Sequence, residues 1–193
     1  MTPEDDHLRQ ELEAHGLDMK PLVGWHSKRQ QEWIVGRYMM HTILPDRISD
    51  LLITPSGKPF FKNSSMQFSI SHSGDLLGII TSSSTIGLDI QQFSQSLKKV
   101  SHKFITEENL KVFPADVPES DRQHILWCTK EAVFKAYGLG KVDFKKDILI
   151  HSYQDHCDYS VIKGRLTNDE VDGAFLAHFN RIGNYYIVSS IIE

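Results

Sequence analysis

The sequence has little cysteine, no long apolar run and no surplus of positive charge. Each shortage closes off a class of protein. Two cysteines among 193 residues, Cys128 and Cys157, make no disulfide framework and lack the paired spacing of a zinc site. Free thiols suit a reducing cytosol. No window approaches the roughly 18 uninterrupted apolar residues of a membrane span. The first residues, MTPEDDHLRQELEAHG, are charged and carry no apolar core, so they do not read as a signal peptide. Lysine and arginine number 21 against 25 aspartate and glutamate, a formal net charge of −4. That leaves no global basic field for nucleic acid or an anionic membrane. These absences point to a cytoplasmic protein that binds any anion through a local cluster of basic groups. What is present is ordinary: 40% hydrophobic and 24% charged residues, on a chain long enough to bury a core unaided.

Apolar spacing over 28–44, KRQQEWIVGRYMMHTIL, predicts a helix that Pro45 ends. ISDLLITPSGKPFF then reads as a strand, a turn punctuated by PSG and GKP, and a short extended piece. FSISHSGDLLGIITSS reads as two strands around a Ser-Gly-Asp turn. The polar run Thr81 to Thr85 precedes a new strand, IGLDI, and is the expected boundary between a half covering 1–85 and a half covering 86–193. LKKVSHKFITEENLKVF mixes helix and turn. Ser120 followed by Gln123 predicts a capping box for a long helix that Gly138 and Gly140 stop. The remainder is strand-rich, with Gly183–Asn184 as a hairpin turn. SISHSGDLLGIITSS and LAHFNRIGNYYIVSSII end alike, each after a long helix. A duplicated α+β unit and two unrelated hairpins fit that pattern equally well.

The long helix carries LWCTKEAVFKAYGLG, an apolar stretch holding two ammonium groups and a carboxylate. At about 100° per residue, Glu131, Phe134, Lys135 and Gly138 share a face with Trp127, and Lys130 lies at its edge. Cys128, Ala132, Val133, Ala136 and Leu139 form the opposite, small apolar side. By itself this is an i,i+4 Glu–Lys pair worth roughly 0.2–0.5 kcal/mol on a solvated face. Other segments change the weighting. In the strand IGLDIQQ, Gly87, Asp89 and Gln91 point one way, and an aspartate beside glycine can hold a hard cation. Ser71, His72 and Ser73 offer donors for phosphate; no Gly-x-Ser-x-Gly elbow surrounds Ser71. Gly57-Lys58-Pro59 presents Lys58 on a turn, and the first predicted helix carries Lys28, Arg29 and Arg37.

The ordered set of basic helix, GKP, SHS, GLD and WCTKEAVFKAYGLG resembles the 4′-phosphopantetheinyl transferases of the monomeric, two-half type. The resemblance runs from about Lys28 to the C-terminus. Its strongest part is Gly87-Leu88-Asp89 followed some forty residues later by Trp127 through Gly138, in the family's order and spacing. It implies an α+β fold of two pseudo-symmetric halves, each a small antiparallel sheet packed with a long helix, and coenzyme A in the cleft between them. It also implies transfer of the phosphopantetheine arm of coenzyme A to a serine of an apo acyl or peptidyl carrier protein, with release of 3′,5′-ADP.

Carried over position by position, the resemblance makes Asp89 and Glu131 ligands of magnesium at the coenzyme A pyrophosphate. Lys130 and Lys135 balance its phosphates, Lys135 as the direct contact. Lys58 lies along adenine and ribose, Ser71 and His72 meet phosphates of the 3′,5′-ADP moiety, and Arg37, with Lys28 or Arg29, approaches the 3′-phosphate. Glu131, or a water on the metal that it holds, takes the serine proton. One position departs: where many members place a second carboxylate, this chain has Gln91, which supplies an oxygen without charge. Lys98, Lys99 and Lys103 form the expected docking surface for an acidic carrier helix, and a solvated helix face accounts for them as well. Two other readings compete: a coenzyme A-binding protein without catalysis, and a magnesium-dependent nucleotide pyrophosphatase.

Overall fold

The computed structural model describes residues 3–55 and 57–193; Ser56, in the expected PSG turn, lies outside the described residues. Helix α1, Pro3–Ala14, precedes α2, Ser27–Ile43. Leu44 closes α2 outside the helical region (φ −138°, ψ 72°), from which the following proline biases it away. Strands β1 (Leu51–Ile53) and β2 (Pro59–Phe61) pair antiparallel, as do β3 (Gln67–Ser73) and β4 (Leu76–Ser82). Strand β5, Ile86–Gln92, leads to two short helices, α3 (Leu97–Val100) and α4 (Glu107–Lys111). Then come α5 (Glu119–Tyr137) and strands β6 (Ile148–Asp155), β7 (Ser160–Thr167), β8 (Asp172–Ile182) and β9 (Tyr185–Ile192).

The fold is α+β, with every pairing antiparallel. The two hairpins that end alike stand in different settings. β3–β4 is a two-stranded sheet, whereas β8–β9 belongs to a five-stranded sheet in the order β5-β9-β8-β7-β6. The core is correspondingly divided among the described residues. One cluster packs Leu12, Ile34, Met40, Ile48, Phe61 and Phe68. The other packs α5 residues Leu126, Cys128, Ala132 and Val133 against Ile148, Ile162, Leu166 and Val188 of the large sheet.

The small apolar side of α5 is the buried one: Cys128, Ala132, Val133 and Ala136 are wholly enclosed. Leu139 departs from that side and is 75% exposed, because Gly138 leaves the helix at φ +67° and turns the chain away. The expected Ser120–Gln123 capping box does not form. The helix begins earlier, with Pro118 at its N-cap in extended conformation, so Ser120 already lies inside the first turn. Arg122 ties that entry down by donating to the carbonyls of Val117, Pro114 and Ala115. The capping box occurs instead on α4, between Thr106 and Asn109. Among the described residues no helix is long and apolar enough to cross a membrane.

A side-chain device joins the small hairpin to the large sheet. β5 pairs with β9 on one edge only, which leaves alternate N–H groups on its other edge unpaired. Serines at every second position of β3 accept them: Leu88 N–H donates to Ser69 Oγ (2.9 Å), Ile90 N–H to Ser71 Oγ (3.0 Å) and Gln92 N–H to Ser73 Oγ (2.9 Å). Hydroxyls do the work of backbone carbonyls, so a sheet edge that would otherwise be bare is covered.

Candidate functional site

The site begins at Gly87. A Cβ there would stand 1.9 Å from the carbonyl oxygen of Ala132 and 2.6 Å from the nitrogen of Ala136. The backbone of α5 therefore lies directly on β5, and only glycine admits that approach. Two residues on, Asp89 projects from the same side of the strand and is buried. The helix brings Lys135 to it: Lys135 Nζ lies 2.7 Å from Asp89 Oδ1 and 2.9 Å from Ser71 Oγ. Ser71 Oγ donates to Asp89 Oδ1 (3.2 Å) while receiving the N–H of Ile90. The basic end of the expected Glu131–Lys135 pair is thus aimed across the helix–strand contact into a buried carboxylate.

The other oxygen of Asp89, Oδ2, is buried and has no hydrogen-bond partner. Glu131 sits one turn before Lys135, half-buried, and its carboxyl is pushed up first by burial and then by the charge of Asp89; Lys135 pulls it down. Burial and the neighbouring Asp89 charge thus disfavour the ionised form of Glu131, which a further cation would favour. An unpartnered carboxylate oxygen beside a second carboxylate is a donor set suited to magnesium, which takes one or two carboxylates and completes its shell with phosphate and water. The Cys128 thiol, enclosed under the same helix, is pushed well up by burial and then by Asp89, so it stays neutral.

A cleft of about 360 Å³ opens beside Lys135, lined by Lys58, Pro59, Phe68, Ile70 and Phe134 among others. Lys58 closes one end by donating to the Ala136 carbonyl (2.7 Å), one of the carbonyls that a helix C-terminus leaves unpaired. Burial lowers its pKa. The absence of a side chain at Gly138 makes the contact possible, since a Cβ there would meet Lys58 Cδ at 2.5 Å. A wider cleft of about 660 Å³ lies between the start of α2 and the β3–β4 turn, where Lys28, Gln31, Glu32 and His72 line it. His72 is half exposed, with Nδ1 3.2 Å from Glu32 Oε1.

The remaining expected residues are placed differently. Arg29 stacks over Trp25 at 4.2 Å. Arg37 is buried over Trp33, its Nε has no hydrogen-bond partner, and burial lowers its pKa to about 10. Gln91 lies along the strand from Asp89, and its amide donates to the Gln92 carbonyl (2.9 Å). Lys130 is not brought to the carboxylates. It is wholly buried, and its ammonium donates to the carbonyls of Phe144 (2.5 Å) and Ile148 (2.9 Å). Burial pushes its pKa down to about 8, with Asp143 opposing. Its place is under the chain that returns from α5 to β6. Two roles went unread in the sequence: Gly87 as the seat of the helix, and the serines as a zip. The period-two spacing of Ser69, Ser71 and Ser73 was the available signal for the latter.

Residues 85–172 match the family model of the 4′-phosphopantetheinyl transferase superfamily. A Haemophilus influenzae protein named "Putative 4'-phosphopantetheinyl transferase" is 30% identical over 105 residues, which cover 49% of this chain and 43% of that protein. The match therefore spans less than half the length of that relative.

Proposed function

We propose, for a chain whose residues 85–172 carry the 4′-phosphopantetheinyl transferase superfamily's signature, that the protein moves the phosphopantetheine arm of coenzyme A to a serine hydroxyl of an apo carrier protein. The observation that carries the reading is the meeting of Asp89, Glu131 and Lys135 at one helix–strand contact, with Asp89 Oδ2 buried and unpartnered. The carrier hydroxyl attacks the phosphorus that bears the pantetheine arm. The bond from that phosphorus to the bridging oxygen breaks, and 3′,5′-ADP leaves with the electron pair. Such a transfer needs positioning and charge neutralisation more than covalent help from the protein.

Asp89 and Glu131 would hold magnesium, which when bound neutralises charge on the pyrophosphate. Lys135 sits where it can pair with the same phosphates once its bond to Asp89 loosens. Glu131, whose carboxyl is pushed up, is the better placed proton acceptor for the serine hydroxyl, directly or through a water it holds. The cleft beside Lys58 and Lys135 has apolar lining in Phe68, Ile70 and Phe134, suited to a nucleoside base. The cleft at Lys28 and His72 has the donors for phosphate. Arg37, buried with an unpaired Nε, suits an anion at the far end. Gln91 supplies no charge, so two carboxylates would hold the metal. Lys98, Lys99 and Lys103 are exposed on α3 and the turn after it, a basic face for an acidic carrier helix.

The test is to incubate the protein with coenzyme A, magnesium and an apo acyl carrier protein, then weigh the carrier. A gain of one phosphopantetheine arm is expected. Release of 3′,5′-ADP with unmodified carrier would instead make the protein a pyrophosphatase. Binding of coenzyme A with neither product would make it a binding module.

A further inference from the structure

Away from the carboxylate site, the pairing of α1 with α2 gathers Glu11, His15 and His41. Glu11 lies in the last turn of α1 and His15 just past its end, four residues on, with the His15 N–H donating to the Glu11 carbonyl (3.1 Å), so the two face the same way. His41 comes from the last turn of α2 and is buried, with Glu11 half-buried and His15 at the surface. One candidate ligand atom from each, an imidazole nitrogen or a carboxylate oxygen, lies within 4.8 Å of the others. The His15 and His41 rings stand 4.2 Å apart at 41°.

His41 is already oriented. Its Nδ1 lies 3.1 Å from the Pro45 carbonyl, which can only accept, so Nδ1 carries the proton. That leaves Nε2 directed at the cluster, 4.0 Å from Glu11 Oε1. In the neutral ring two lone pairs then face each other, an arrangement that calls for a cation between them. A backbone carbonyl holding the N–H of one ring nitrogen, which leaves the other free to ligate, is the arrangement found behind metal-bound histidines.

We infer that Glu11, His15 and His41 form a binding site for a borderline divalent transition metal of the zinc class. Two imidazoles and a carboxylate suit zinc, and three protein ligands leave a fourth position to water. Zinc–ligand distances of about 2.0–2.2 Å put neighbouring ligand atoms about 3.4 Å apart, so the observed separations need to close by about 0.6–1.4 Å. Rotation of the exposed His15 ring and the Glu11 carboxylate provides that. The metal fastens α1 onto α2, whose residues Leu12 and Met40 are buried in one core cluster. Its role is structural, distinct from the hard-cation chemistry at Asp89 and Glu131.

The test uses the full chain stripped with a chelator and titrated with zinc chloride in excess magnesium, which keeps the carboxylate site out of the readout. One zinc per chain is expected. His15→Ala and Glu11→Gln, both at accessible positions, should lose affinity by at least about 100-fold, since even removing the group behind a ligand costs 10–100-fold. Glu131→Gln should bind zinc as the native chain does. Cobalt substituted for zinc should show the visible bands of a low-coordinate ion in the native chain and not in His15→Ala. At a hundredfold excess over Kd, zinc should raise the native Tm by about 5–10 °C and leave His15→Ala unmoved. Equal zinc affinity in native, His15→Ala and Glu11→Gln chains overturns the assignment, as does the absence of zinc binding by a native chain shown to be folded.

Discussion

Replacing Gly87 by alanine adds one methyl group at the place where helix meets strand. That methyl would lie 1.9 Å from the Ala132 carbonyl oxygen and 2.6 Å from the Ala136 nitrogen, where ordinary contact begins at 3.4 Å. Both obstacles are backbone, so no side chain can swing aside. The helix must retreat by about 1.5 Å, the difference between the built and the ordinary distance. Overpacking of this kind costs about 1–3 kcal/mol, which for a chain of this length lowers Tm by about 2–12 °C. Lys135 and Glu131 ride on the same helix, so their distances to Asp89 lengthen with it. A displacement of about 1 Å at a reacting centre can cost on the order of 100-fold in rate. Gly87→Ala should therefore be folded but destabilised, and nearly inactive. Thermal unfolding followed by circular dichroism reads the first arm, and carrier mass gain per minute reads the second. A variant with native Tm would refute the close approach of helix and strand. A variant with lowered Tm but native rate would refute the dependence of catalysis on that approach.

Glu131→Gln should abolish transfer while raising the Tm of the metal-free protein near neutral pH. The folded carboxyl is raised by burial and by Asp89, so its ionised form is a burden above that raised pKa and none at acid pH, where the two proteins should converge; a Tm difference independent of pH would refute the cause. Lys130 is expected to shape stability at alkaline pH. Between about pH 8 and 10.5 the unfolded chain holds a proton at this side chain that the folded chain has lost, so the residue makes stability rise with pH in that window. Denaturant unfolding of native protein and Lys130→Met across the window should show that slope only in the native chain, with Lys130→Met weaker overall for want of partners at the Phe144 and Ile148 carbonyls. Ser69→Ala leaves the buried N–H of Leu88 without its acceptor and should cost about 1–3 kcal/mol in chemical denaturation; a neutral effect would mean that the zip is incidental.

What could be read in the chain alone was whatever local chemistry decides. Pro45 and Gly138 end helices because a proline and a left-handed glycine do so in any surroundings, and the GLD strand and the Trp127–Gly138 helix were placed within a residue or two. Ser120 failed because its cap depended on where Pro118 had already started the turn. Lys130 shows the deeper limit. A helical wheel gives a side chain's angle around the axis but not the neighbour waiting at that angle. On the wheel Lys135 lies about 40° to one side of Glu131 and Lys130 about 100° to the other, at the two edges of one face. Lys135 meets Asp89 from a strand 46 residues away, and Lys130 meets one carbonyl of the loop that folds back after the helix and one at the start of β6. The difference lies in the path of the chain at 141–148, which carries no periodicity of its own. The serine zip is non-local in the same way: period-two serines mark one face of a strand, and only the bare edge of β5 gives that face a purpose. Motif spacing picked out Asp89 and Lys135, and the two meet because Gly87 lets their elements press together. Where no such contact is forced, as at Lys130, the same motif leaves the destination of a charge open.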